Sequence, residues 1–92
     1  MDIKPLDEVE QETTIETQTP AKVILFNDEV HTFDEVIYQL IKAIRCDFER
    51  AKVLTNQVHH YGKAIVFGGE LAKCIQVSSI LEEIELRTQI EY

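Results

Sequence analysis

The run Lys22-Val23-Ile24-Leu25-Phe26-Asn27-Asp28-Glu29, continued by His31-Thr32-Phe33-Asp34-Glu35-Val36, decides the fold. Its first half is a short apolar run closed by Asn-Asp, which reads as a buried strand leading into a turn. In its second half Thr32 and Glu35 stand in capping-box spacing, where hydroxyl and carboxylate each satisfy the other's orphan backbone amide. A helix therefore starts there. Val36, Ile37, Leu40, Ile41 and Ile44 recur behind it at helical period and give one apolar stripe ending near Cys46.

Downstream, Asp47 is placed to cap a second helix with Ala51, Leu54 and Val58 on its inner face. His59, His60 and Tyr61 close it before Gly62, the usual breaker. Lys63-Ala64-Ile65-Val66-Phe67 reads as a second strand terminated by Gly68-Gly69. A third helix is expected from about Glu70, with Leu71, Cys74, Ile75, Ser78 and Leu81 on one face. Leu86, Thr88 and Ile90 alternate with Arg87, Gln89 and Glu91, the pattern of a half-solvated strand. The order is β-α-α-β-α-β. Three strands make a small sheet that the helices must cover, so the expected class is α/β, a two-layer sandwich of a three-stranded sheet and three helices.

The chain has 92 residues, 45% hydrophobic and 28% charged, which leaves room for one compact domain. Charge is unevenly spread. Residues 1–20 hold six acids (Asp2, Asp7, Glu8, Glu10, Glu12 and Glu16) against Lys4, whereas residues 21–92 carry nearly all the large apolar side chains. Segment 1–20 cannot bury enough to offset its ordering entropy and reads as a disordered acidic extension, with the folded domain at 21–92. No apolar run is long enough to span a membrane, and the acidic start is the opposite of a secretory or transit signal, so a cytoplasmic protein is expected. A net charge of −8 argues against nucleic acid and anionic membrane surfaces as partners and for proteins, peptides or small cations.

Two polar features carry possible chemistry: the Asn27-Asp28-Glu29 turn and the His59-His60 pair. Read plainly, the first is a loop and the second a helix C-terminus, where histidine favours the negative end of the dipole. Adjacent histidines point about 100° apart on a helix, unlike the i, i+4 pair of a zinc hydrolase, so no metal site is expected. Cys46 and Cys74 both fall on apolar stripes, where packing is their role. No nucleophile, base and orienter converge, and Gly68-Gly69 lacks the spacing and lysine of a phosphate loop, so neither an enzyme nor a cofactor is expected.

Taken together, Lys22 to Glu29, then Phe33-Asp34-Glu35-Val36, then Val58-His59 followed by Gly62-Lys63-Ala64, resemble ClpS, the bacterial adaptor of the Clp protease. The resemblance runs from about Ala21 to Tyr92 and includes the β-α-α-β-α-β order. It implies an adaptor, not an enzyme, that binds proteins beginning with a large hydrophobic residue, the N-degron, and delivers them to a ClpA- or ClpC-type AAA+ unfoldase. Asn27, Glu29 and His59 match the positions that accept hydrogen bonds from the α-ammonium. Val36, Val58 and Leu86 match the apolar wall. Burial of a Leu or Phe side chain there would contribute roughly 1.5–3 kcal/mol, and a charge-assisted hydrogen bond about as much.

The chain departs from the commonest family pattern at His31-Thr32-Phe33, pocket positions where most members have Thr-Pro-Met; Phe33 falls on the gatekeeping methionine. Glu29 stands where Asp is usual. His31 has two readings: a pocket-mouth residue that makes binding pH-sensitive, or a solvated residue before an N-cap. For the unfoldase contact the resemblance points to His60 and Glu70, with Lys73 as a substitute for a lysine whose position is taken by Ile75. It also implies a monomer and an unfoldase-engaged N-terminal extension. The alternative is an interaction module that keeps the fold and modulates the unfoldase without binding N-degrons, its cavity plugged by Phe33.

Overall fold

A computed structural model describes residues 18–92. Positions 1–17 of the expected acidic extension lie outside the described residues. Strand β1 spans Pro20–Phe26, helix α1 Phe33–Ile44, helix α2 Phe48–Tyr61, strand β2 Lys63–Glu70, helix α3 Leu71–Leu81 and strand β3 Thr88–Glu91, with a 3-10 turn at Glu82–Ile84. This is the β-α-α-β-α-β order. The sheet is antiparallel throughout, in the order β2-β1-β3, so the first strand of the chain is the central one.

Local chemistry sets the helix boundaries. The Thr32 amide donates to Glu35 Oε1 at 2.7 Å and the Glu35 amide to Thr32 Oγ1 at 3.2 Å, closing the capping box at the start of α1. Arg45, left-handed at φ 56°, ends that helix. Asp47 accepts from the Arg50 amide at 2.8 Å and caps α2, which stops at Gly62, where φ is 86°. Glycine meets that backbone without a Cβ penalty.

The expectations for β2 and α3 need correction. Gly68-Gly69 does not end β2: the strand continues to Glu70, because Gly68 pairs with Lys22, Gly69 with Ala21 and Glu70 with Pro20. A bulge lies within it, since Val23 faces Phe67 and Ile24 faces Ile65, leaving Val66 as the additional residue. The inner face of α3 is also rotated from the expected one. Cys74, Val77, Ser78 and Leu81 are buried, whereas Ile75 is 51% exposed. Helix α3 starts without a side-chain cap at Glu70; the Leu71 amide instead donates to the Thr19 carbonyl at 2.7 Å, so ordered pairing reaches ahead of residue 21.

The helices pack on the sheet face that bears Ala21, Val23 and Leu25. Leu25 from β1, Leu40 from α1, Leu54 from α2 and Leu81 from α3 are fully buried together, each contributing roughly 1.5–3 kcal/mol by leaving water. Leu86 joins this core from the segment just before β3, not from within the strand. Among the described residues no helix is long and apolar enough to cross a membrane.

Candidate functional site

The site is assembled where β1 ends. The Asn27 amide donates to the Gly62 carbonyl at 2.9 Å, which fixes the turn after β1 beside the last residues of α2. Asp28 then folds the turn on itself: Oδ1 accepts from the amides of Val30 and His31, both at 2.9 Å. Its Oδ2 accepts from His31 Nδ1 at 2.7 Å, and His31 Nε2 donates to the Ile84 carbonyl 53 residues away.

A carboxylate and a carbonyl can only accept, so both ring nitrogens of His31 donate, and the imidazolium is the form that satisfies this arrangement. The Asp28 side-chain bond, and then the Ile84 carbonyl, raise the pKa of His31 above its ordinary value. Burial pushes the Asp28 carboxyl upward, but the bonds from the His31 amide and ring and the Val30 amide outweigh it and hold that pKa below the usual range. The His31 side chain is only 12% exposed, so the reading as a solvated residue is overturned.

Between this turn, the start of α1, the end of α2 and Leu86 lies a cavity of about 410 Å³. That is within the size range of small-ligand sites. Asn27, Glu29, His31, Thr32, Phe33, Val36, Val58, His59 and Leu86 all line it. Asn27, Glu29 and His59 are exposed at its rim, while Val58 and Leu86 are buried and Val36 half-buried in its wall. The mouth is polar and the interior apolar. The Phe33 ring and the His59 imidazole meet in a T-shaped arrangement, centroids 5.1 Å apart.

Leu25, Phe26, Asp28 and Thr55 also line the cavity; the sequence pattern placed the first three in the strand and turn without assigning them to a pocket, and did not single out Thr55. Thr55 was within reach of a periodicity argument, lying one helical turn before Val58 and His59. Its hydroxyl donates to the Ala51 carbonyl at 2.8 Å, which keeps this buried group satisfied. Phe26 is held by Arg87, whose guanidinium lies 4.7 Å from the ring centroid, and by Lys63 Nζ at 5.9 Å.

The other candidates lie apart from this cavity. His60, Glu70 and Lys73 are exposed; the His60 ring packs on Tyr61, and Lys73 lines a separate groove with Lys42 and Arg45. Burial raises the thiol pKa of both Cys46 and Cys74, and Cys74 is fully buried. Among the described residues no three His, Cys, Asp or Glu side chains are grouped to hold a metal ion.

The family model for the ATP-dependent Clp protease adaptor protein ClpS matches residues 16–89. The chain belongs to the ClpS family. An adapter protein ClpS from Thermosynechococcus vestitus is 49% identical over 49 residues, covering 52% of this chain and 52% of that protein. One from Nostoc is 42% identical over 59 residues, covering 63% and 61%. Human E3 ubiquitin-protein ligase UBR2 is 40% identical over 58 residues, 63% of this chain but 3% of the ligase. The match thus spans a small piece of the ligase and between half and two thirds of these ClpS proteins. Agrobacterium tumefaciens ClpS2, in a structure bound to L-phenylalaninamide, superposes with a TM-score of 0.75 at 19% identity, covering 80% of this ClpS-family chain and 96% of that one. That likeness establishes the shared fold.

Proposed function

We propose that this chain is a non-enzymatic adaptor that binds the free N-terminus of proteins starting with a bulky hydrophobic residue and brings them to a ClpA- or ClpC-type AAA+ unfoldase in the cytoplasm. The observation that carries the reading is one cavity with acceptors at its mouth and an apolar wall behind them. The Asn27 side-chain carbonyl, the Glu29 carboxylate and a neutral ring nitrogen of His59 are suited to an α-ammonium; Val36, Val58 and Leu86 are suited to the first side chain. L-Phenylalaninamide, named with the Agrobacterium ClpS2, combines the same two groups: a free amine and an aromatic side chain. Asp28 is engaged with His31 and the turn amides, so Asn27, Glu29 and His59 are the acceptors assigned to the amine.

His60, Glu70 and Lys73 are the residues proposed to meet the unfoldase. A monomer suffices for both tasks. The reading as a modulator with a plugged cavity draws less support, because Phe33 is 40% exposed at the rim and the cavity behind it is open.

Fluorescence anisotropy with four labelled peptides that start with free Leu, free Phe, free Ile or N-acetylated Leu tests the proposal. The expected result is micromolar affinity for free Leu and Phe, and a loss of at least about tenfold on acetylation, which removes the charge and strands the acceptors. Equal affinity for free and acetylated Leu, or no binding of any peptide, would overturn it.

A further inference from the structure

The wall residue Leu86 comes from a short segment between the 3-10 turn and β3, flanked by two backbone carbonyls that are each held from the opposite side of the cavity. On its C-terminal side the Arg87 carbonyl accepts from the Phe26 amide at 3.0 Å. On its N-terminal side the Ile84 carbonyl accepts from His31. The first tie is a sheet-type bond that no titration touches; the second depends on a side chain that gains and loses a proton.

We propose that His31 is a positioning residue: bridging Asp28 and the Ile84 carbonyl as an imidazolium, it holds the Leu86 wall against the Asn27–Glu29 turn, and the cavity loosens its grip on a peptide N-terminus when that proton is lost. The inference rests on the peptide-binding reading for its second half and on the geometry alone for its first. A neutral imidazole has one N–H. If Nε2 keeps it, the Nδ1 lone pair faces the Asp28 carboxylate; if Nδ1 keeps it, the Nε2 lone pair faces the Ile84 carbonyl. In the first case the ring loses the carboxylate bond that orients it toward Ile84, and in the second the segment carrying Leu86 loses its tie to the ring; either way one bond is replaced by a repulsive pair of acceptors.

The acidic groups around His31 favour the protonated form on which this device depends. Asp28 and Glu29 belong to its own turn, Glu35 comes from the first turn of α1, His59 lines the same cavity from α2, and Glu85 follows the accepting carbonyl. Asp28 and Glu35 both favour the protonated ring. The peptide α-ammonium itself titrates near 8, so a pH effect on binding must be separated from that of the ligand.

His31→Gln provides the separation, because glutamine can donate to one partner but does not titrate. Affinity of the free-Leu peptide is measured from pH 6 to 9 for the full chain and for the variant; the peptide amine contributes equally to both. The expected ratio favours the natural chain by about tenfold at pH 6 and falls toward one as His31 deprotonates. A ratio independent of pH overturns the proposal. Imidazole nitrogen and methyl NMR spectra of the unliganded natural chain need neither the variant nor peptide binding. His31 is expected to show protons on both ring nitrogens at pH 6, with Leu86 methyl shifts following its titration. A single neutral tautomer at pH 6, or a titration that leaves Leu86 unmoved, overturns the clamp even where peptides bind. Failure of both proteins to bind peptide, with the NMR signature present, counts against the peptide reading and not against the clamp.

Discussion

Phe33, the first residue of α1, meets His59 near the end of α2 ring edge to ring face, with centroids 5.1 Å apart and planes inclined by 70°. The contact joins two helices at the cavity mouth and makes a rigid ring part of the rim. Replacing Phe33 by Ala removes the ring that narrows the entrance. In the proposed reading this raises the affinity of Ile-first peptides relative to Leu-first ones by about tenfold, read by anisotropy. An unchanged Ile-to-Leu ratio would remove Phe33 from the gate.

Asn27 and His59 are exposed at the rim, so their truncation leaves the core untouched. Asn27→Ala and His59→Ala are each expected to weaken free-Leu peptide binding by about tenfold or more, with unfolding midpoints close to that of the natural chain. Competition anisotropy and urea unfolding measure the two quantities side by side. Unchanged affinity in either variant would withdraw that residue from the amine site.

The Thr32–Glu35 capping box predicts a stability effect independent of any ligand. Thr32→Ala should destabilise the fold by about 1 kcal/mol, whereas Leu40→Ala, in the fully buried core, should cost roughly 2–5 kcal/mol. Urea denaturation followed by circular dichroism distinguishes the two. A smaller loss for Leu40→Ala than for Thr32→Ala would contradict the core assignment.

Stability should fall on both sides of an intermediate pH range because of one ion pair. The pKa of His31 is raised in the folded chain, so its contribution is complete below the unfolded value of about 6.5 and lost as pH rises through the folded one. The pKa of Asp28 is lowered, so its contribution is complete above roughly 3.9 and lost as pH falls through the folded value. Unfolding free energies of the natural chain and His31→Gln across this range should differ most between those limits. A constant difference would show that the pair does not couple to folding.

What the sequence made legible, and what it hid, follows the range of each interaction. Thr32, Asp47 and Gly62 act on amides and carbonyls within four residues of themselves, so spacing alone located the helix boundaries. Gly68 and Gly69 looked like a stop, but their place in a strand depends on Ala21 and Lys22 at the far end of the chain. The orientation of α3 depends likewise on what packs against it, which is why Val77 and not Ile75 is buried. Periodicity put Val36 and Val58 on helix faces and the polar turn and helix-end residues stood out singly, but nine of the thirteen lining residues were gathered into one cavity only through resemblance to a family. The His31 bridge was the least accessible part. Its distant acceptor is a backbone carbonyl, and a carbonyl is present at every residue.

The central position of β1 bears on how the chain is made. Val23 to Phe26 leave the ribosome before either strand that will flank them, and Lys22 ultimately pairs with Glu91. Until β2 emerges this apolar strand therefore has two unpaired edges, and its lasting partners arrive in order, β2 before β3. Such long-range pairing slows folding and prolongs the exposure of sticky edges. It also delays the cavity, which needs Leu86 as well as Leu25: its wall is incomplete in a nascent chain until the segment just before β3 has emerged.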